Sequence, residues 1–498
     1  MPDTDTRASV RRRPWSTAPA PLRALLGAVA VIALAWSLVT PAFMGPDEQS
    51  HFGYVQHLAE TGGLPGTNDG AEGFSSEFRV GAGLSGMGNA AQQPDITMEW
   101  NASVQEEWKR RSSHPPENRR DDGGGPGNSA ASNPPLYYLT AVPAYLVGEA
   151  AGIFTRVGLV RLVSIAWLLV AVVGAWLLAG ELFGRDRRAQ SATAGVVGLL
   201  PMSQFIAGTV GPDTAVFAAW AFVMWLGVRL LRRGASVRGV FWLSFALGVA
   251  CLLKAASYAL APPVGLLVLY VLWKARRRDV DPIDGRTFAR GLAVAAAALV
   301  GTLGVWLVVA RIAGVSAVGQ ASAVTGGDGG SLTGLFSYVW QYYLPMLPGM
   351  DPAPGQPDLP VYRTMFITGW GAFAWLEVRF PDWIYPLLLV GCLAVVAVAA
   401  RTAWERRTAI RWPVIAFFAL IVVGLVAGMH ITEFNMGGYG FIQGRYLLPL
   451  APLAGLILAV ALRGLPGPAR TPALSAVLGT LVVLNAWGMG LAMERFYA

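Results

Sequence analysis

Runs of about twenty apolar residues recur along this chain, each long enough to cross a hydrocarbon core of roughly 30 Å as a helix. They lie at roughly 22–42, 158–180, 189–210, 213–231, 238–254, 256–273, 288–312, 383–400, 412–430, 445–462 and 472–492, which predicts about eleven spanning helices. The segment "LYYLTAVPAYLVGEAAGIF" is also apolar, but Pro143, Gly148 and Glu149 interrupt it. The arginines decide whether it spans. If 135–155 does not cross, the basic segments "FGRDRR", "RLLRRGASVR", "KARRRD", "RTAWERRTAIR" and "RGLPGPAR" all share one side. Cationic short loops stay cytoplasmic, so the non-crossing arrangement is favoured. The pattern therefore predicts an all-α polytopic membrane protein with a cytoplasmic N-terminus and an extracytoplasmic C-terminus. Arg11, Arg12 and Arg13 hold the tail inside, and the first run is too long for the h-region of a cleaved signal.

This sidedness divides the chain into a tail (1–21), a membrane module (22–312) containing a large outer loop (43–157), a second outer segment (313–382) and C-terminal membrane helices (383–498). The second outer segment carries Trp340, Tyr342, Tyr343, Trp370 and Trp375, with Trp383 at its edge. Such rings suit interfacial helices at headgroup level, or a platform for lipid or sugar. Composition agrees with the hydropathy: 54% of residues are hydrophobic and 14% charged, against about a quarter charged in soluble proteins. The net charge of +8 sits in the loops between apolar runs, so it reports topology rather than a nucleic-acid partner. Cys251 and Cys392 both fall in apolar runs, which supports neither a disulfide framework nor a zinc site.

With this topology the unusual polar residues collect on the outer side. Asp47, Glu48 and His51 follow the first span; Asp213 and Lys254 sit at outer turns; Gln443, Arg445 and Tyr446 open a late span. Ionisable groups at membrane depth are costly and mark function. "GPDEQSHFGYVQHLAETGG" reads as a short amphipathic interfacial helix, with Pro46 at its first position, its acids at the positive end of the dipole and Gly62–Gly63 ending it. Plainer roles stay open: dipole-complementing acids at Asp47 and Glu48, a helix cap at Asp213, and snorkelling at Arg445 and Lys254. The glycines of 123–127 read as a flexible loop. Two acids and two cations converging at the membrane surface suit sugar transfer from a lipid-phosphate donor. The carboxylate takes the acceptor proton, and the cations hold the phosphate as it leaves.

"PDEQSHF" in the first outer loop, "NPPLYYLTAVPAYLVG" (133–148), "RLVS" (161–164) and the later Asp213 together resemble the GT-C superfamily of integral-membrane glycosyltransferases. A closer resemblance is to a bacterial polytopic membrane-protein family with an early "PDE..H" and a late "QGRY..P", here "QGRYLLPL" (443–450). The resemblance implies a GT-C-like fold in a bacterial plasma membrane. It also implies transfer of a sugar from a polyprenyl-phosphate-linked donor to a cell-envelope glycan or protein. Asp47 would be the base, with Glu48 and Asp213 assisting. His51, Lys254, Gln443, Arg445 and Tyr446 are the substrate-binding candidates. Some members hold a divalent metal on such acids and others do not, so Asp47, Glu48 and Asp213 are the metal candidates if there is one. The alternatives are a transporter or flippase for a lipid-linked saccharide, which should place charges at midplane within repeated broken helices, and a non-catalytic assembly protein.

Overall fold

The computed structural model describes residues 18–498 apart from 67–69, 91–92, 94–95, 98–99, 278–282, 318–330, 351–358, 410 and 437–439. The expectation for Arg11–Arg13 lies outside these residues, as do two stretches of the aromatic outer segment.

A long first helix α1 (Ala20–Val39) leads into a set of short helices, α2 (Glu48–Thr61), α3 (Ser76–Leu84), α4 (Met87–Ala90), α5 (Ala102–Ser112) and α6 (Leu136–Val147). The membrane core follows as α7 (Ile153–Phe183), α8 (Arg187–Leu199), α9 (Pro201–Ala207), α10 (Asp213–Arg233), α11 (Val237–Leu253), α12 (Ala261–Arg276) and α13 (Gly285–Ala313). The second outer segment contains α14 (Leu332–Tyr343), a π-helical turn (Val361–Ile367), α15 (Thr368–Trp370) and a small hairpin of β1 (Ala372–Phe373) with β2 (Val378–Arg379). Then come α16 (Ile384–Glu405), α17 (Trp412–Asn435), a 3₁₀ segment (Gly444–Leu450), α18 (Ala451–Gly464) and α19 (Arg470–Tyr497). α7 is the central post, packing against α1, α6, α8 and α10.

Among the described residues nine helices are long and apolar enough to cross a membrane. Two of the eleven expected spans are not among them. The run at 189–210 is split into α8 and α9 because Pro201 cannot donate a backbone bond and displaces the preceding turn. The carbonyls this frees are recaptured by side chains, as an apolar environment requires. Asn485 donates to the Leu199 carbonyl at 2.9 Å while accepting from Trp36 Nε1 at 2.9 Å, and Gln204 takes the Gly198 carbonyl. The run at 238–254 is the 17-residue α11, stopped at Lys254 by extended backbone (φ −162°, ψ 141°). α6, the interrupted segment, has 12 residues, too few for a perpendicular crossing at 1.5 Å per residue.

The two ends of the bundle differ. The basic segments meet at one end: Arg188 donates to Thr471 Oγ1, Arg463 approaches Asp186, Arg233 pairs with Glu181, and Arg406 reaches the Arg463 carbonyl. α10 runs from there to Asp213, about 30 Å away along its axis. The short helices α2–α6 gather at that second end.

Two local expectations change. α2 does not lie at an interface: Glu48 and Ser50 through His57 are all buried, under α6 and the 123–131 segment. The glycines of 123–127 form no loose loop. Gly66 N–H donates to the Gly124 carbonyl at 2.7 Å and Gly125 N–H to that of Glu72 at 2.9 Å, so the segment seals the top of α2.

Candidate active site

α2 begins at Glu48, two residues later than Pro46 at the first position would set, because Asp47 adopts a left-handed conformation (φ 57°, ψ 14°). Aspartate tolerates this region better than most L-residues, but the conformation is still uncommon and must be held by its surroundings. The result is that consecutive carboxylates point in different directions.

Glu48 points inward and is fully exposed to no solvent. Its Oε1 accepts from Arg161 Nε at 2.7 Å and from Val210 N–H at 2.8 Å; Oε2 accepts from Arg161 Nη2 at 2.7 Å and Gly45 N–H at 3.3 Å. Arg161 spends its remaining donors on the carbonyls of Ser37, Thr40 and Pro41 at 2.7–2.8 Å. Every lone pair and every guanidinium proton is used. This pair sews the end of α1 and the start of α2 to α7, and leaves Glu48 no free oxygen for a substrate or metal. The expected assisting role of Glu48 therefore has no geometric basis.

Asp47 points the other way. Its Oδ2 accepts from Arg445 Nη2 at 3.0 Å, with the Asp47 side chain 47% exposed and that of Arg445 only 7%. Arg445 thus does not snorkel. Beside this pair stands a second one: Lys254 Nζ donates to Asp213 Oδ1 at 2.6 Å, both side chains mostly enclosed. Asp213 makes no capping bond to its own helix; its carboxylate is turned to Lys254, which the extended break after α11 aims across. Tyr446 links the pairs, its ring lying 5.2 Å from Arg445 Cζ and 5.7 Å from Lys254 Nζ, with its hydroxyl 3.4 Å from Arg445 Nη2.

His51, one turn into α2, lies under the cluster, and its Nδ1 meets the Tyr138 hydroxyl at 2.9 Å. Tyr138 stacks on Tyr54 at 3.7 Å. Burial, and next the positive charge of Lys254, lower the His51 pKa to about 4, although Asp47 and Asp213 pull it upward. The imidazole is therefore neutral at pH 7, and the four charged groups above it sum to zero.

The "QGRY" turn is positioned by close backbone contact. A Cβ on Gly444 would lie 2.1 Å from Gly369 N and 2.3 Å from the Met365 carbonyl, so only glycine lets this turn seat against the π-helical segment. Gly444 N–H also donates to Thr368 Oγ1 at 2.6 Å. Two polar atoms of this turn, Arg445 Nε and Gln443 Oε1, are buried without a partner among the described residues. Gln443 contributes its carbonyl to the turn, accepting from Tyr446 N–H at 3.0 Å, and its side chain makes no bond to the cluster.

Of the candidates, Asp47, His51, Asp213, Lys254, Arg445 and Tyr446 come together; Glu48 and Gln443 do not join them by side-chain contact. Several supporting residues were not singled out by sequence reasoning. Arg161 is one. Arg156 is another, fully buried and bonded to Glu77 and the Tyr145 hydroxyl. Tyr137 holds Ser164 at 2.7 Å and accepts from Gly211 N–H at 3.0 Å, fixing the turn before Asp213. The signal was present: two arginines inside one apolar run, and a tyrosine pair in "NPPLYY". The donor set does not suit a divalent ion. Among the described residues no three His, Cys, Asp or Glu side chains converge to hold one, and each candidate carboxylate is already neutralised by its own cation.

The model of the family described as "Predicted membrane protein (DUF2142)" matches residues 31–454, which includes both the "PDE..H" and the "QGRY..P" motifs. The chain belongs to this family. It is a multi-pass membrane protein, in keeping with its apolar helices. No curated protein matches the DUF2142 chain by sequence. Among solved structures it is similar to ArnT from Cupriavidus metallidurans bound to undecaprenyl phosphate, with 14% identity, 96% of this chain and 70% of that chain covered, and a TM-score of 0.48. The oligosaccharyltransferase of Archaeoglobus fulgidus gives 13% identity, 95% and 55% coverage and a TM-score of 0.44. The arabinosyltransferase EmbB from Mycobacterium smegmatis gives 12%, 99% and 43%, and 0.41. The chain thus spans about half the length of the last two.

Proposed function

We propose that this protein is a GT-C-type glycosyltransferase of a bacterial plasma membrane. It moves a sugar from a polyprenyl-phosphate-linked donor to a cell-envelope glycan or protein on the outer side. The observation that carries this reading is the pairing of a half-exposed acid, Asp47, with a buried arginine whose Nε lacks a partner among the described residues. A second acid–cation pair stands beside them.

In this reading the Asp47 carboxylate accepts the proton of the acceptor hydroxyl as the acceptor oxygen bonds to the anomeric carbon. The bond from that carbon to the phosphate oxygen breaks on the opposite face. The polyprenyl phosphate leaves with its charge met by Arg445, whose planar fork suits two phosphate oxygens, and by Lys254 as a point charge. Asp213 holds Lys254 in place, and neutral His51 fills the floor beneath Asp47 without adding charge. Because the resting cluster is neutral, an incoming phosphate is held only if Arg445 and Lys254 loosen from their acids. That release would free Asp47 for the acceptor.

The test is to express Asp47→Asn and Asp213→Asn in a deletion strain and analyse its envelope glycans. Asp47→Asn should remain at normal abundance and fail to restore the missing glycan. Full restoration by Asp47→Asn would overturn the assignment. A reporter fused after residue 185 should read cytoplasmic, since Asp47 must face outward to meet a lipid-linked donor there.

A further inference from the structure

The end of the bundle opposite Asp47 carries two concavities that share a wall at Arg233 and Gly234. The larger, about 780 Å³, is an apolar groove between α7, α10 and α11, walled by Trp167, Phe222, Trp225, Trp242 and Phe245. It follows α10 from Arg233 to Ala218, about 22 Å at 1.5 Å per residue, which exceeds the roughly 15 Å hydrocarbon depth of one leaflet. Trp242 and Phe245 are 45% and 37% exposed, so the groove opens sideways to lipid along its length.

The smaller cavity, about 250 Å³, is ringed by Arg232, Arg233, Lys274 and Arg411, with no carboxylate among the described residues of its lining. Of these only Arg233 has an acidic partner, Glu181 at 3.0 Å; the other three pair with no carboxylate among the described residues. Concentrating four cations around one small cavity is unfavourable unless an anion joins them. Ordinary topological arginines have no need to surround a cavity that continues into a hydrocarbon groove. We infer that this is a binding site for an anionic phospholipid, its headgroup phosphate between Arg232, Lys274 and Arg411 and its chains along the groove. The sideways opening lets two chains lie together, which fits a phospholipid rather than a single polyprenyl chain. Basic pockets between spanning helices hold anionic headgroups in this manner. The headgroup cavity lies at the opposite end of α10 from Asp213.

Native mass spectrometry of the full-length protein in detergent tests this, with phosphatidylglycerol, diphosphatidylglycerol, phosphatidylcholine and undecaprenyl phosphate as separate probes. The two anionic phospholipids should be retained over phosphatidylcholine. The triple variant R232Q/K274Q/R411Q should weaken that retention at least about tenfold, while R401Q/R406Q/R407Q, with the same charge removed elsewhere at that end, should stay within about twofold. Ala246→Trp fills the groove with every cation intact, and should also weaken retention. If the triple variant does not fold, single Lys274→Gln and Arg411→Gln variants replace it, each with a partial loss. Equal loss in both triple variants, no loss in either, or retention of undecaprenyl phosphate that phosphatidylglycerol cannot displace would each overturn the proposal.

Discussion

Glu48 with Arg161, and Asp47 with Arg445, are ion pairs anchored on consecutive residues, yet their surroundings follow opposite rules. Around Glu48 all four acceptor positions are filled and Arg161 has no donor to spare. Around Asp47 the acid is half exposed, its cation reaches it through one nitrogen, and Arg445 Nε is unmet among the described residues. A buried charge pair is retained for structure when its hydrogen bonds close. It is available for chemistry when they do not, because a substrate can complete what the fold leaves open. Adjacency in sequence therefore says nothing about shared role once the first of two neighbouring residues is left-handed.

Neutralising each acid in turn gives the largest expected effects. Asp47→Asn should lower transfer by about 10²- to 10⁴-fold, the range for losing a general base, with thermal stability unchanged. Glu48→Gln should do the reverse, lowering abundance and melting temperature while the folded fraction keeps its activity. If Glu48→Gln abolishes transfer in a protein that melts normally, the division of roles fails.

Next in size is Arg161→Met, which leaves Glu48 buried and unpaired and frees three carbonyls. A destabilisation of about 3–5 kcal/mol is expected, read as loss of folded protein by fluorescence-detected size exclusion; a normal elution profile and melting temperature would count against the saturated pair as a structural knot. Gly444→Ala should cost less, about 1–3 kcal/mol for overpacking. It should also weaken donor use more than it weakens folding, because Arg445 would be pushed off Asp47. This is checked by comparing transfer against donor concentration in the variant and the parent.

A further effect is a pH dependence at the base of the cluster. His51 is neutral in the fold, its pKa lowered from 6.5 to about 4, mainly by burial. The unfolded chain therefore binds the extra proton first. The stability associated with His51 is fully present above pH 6.5 and is lost as pH falls towards 4. His51→Gln should flatten the melting-temperature profile between these values, relative to the parent. An unchanged slope would mean that other groups set it.

Much of the architecture was legible in the chain. Apolar run length and arginine placement specified a polytopic helical protein and kept 135–155 from crossing, since 12 residues of α6 cannot reach across. The run at 189–210 does carry the chain from the basic end to the Asp213 end, but hydropathy does not register that Pro201 breaks it into two helices and that Asn485, far along the chain, repairs the break. The burial of α2 was likewise invisible, because a mixed polar and apolar sequence reads the same whether its polar groups meet water or Tyr138, Asn128 and Arg161. In the site, residue types and their common side picked out Asp47, His51, Asp213, Lys254, Arg445 and Tyr446.

By itself the sequence determined what is set by composition over a window: membrane residence, helical class, the sorting of basic segments to one end, and which polar residues were out of place. Only the tertiary structure decided which of those residues are partners. Charge pairing acts over about 3 Å between side chains 41 to 398 positions apart, and it turns on a single backbone dihedral at Asp47. No local pattern encodes that angle, because Gly45, Arg161 and Arg445 must all be in place before it is stable.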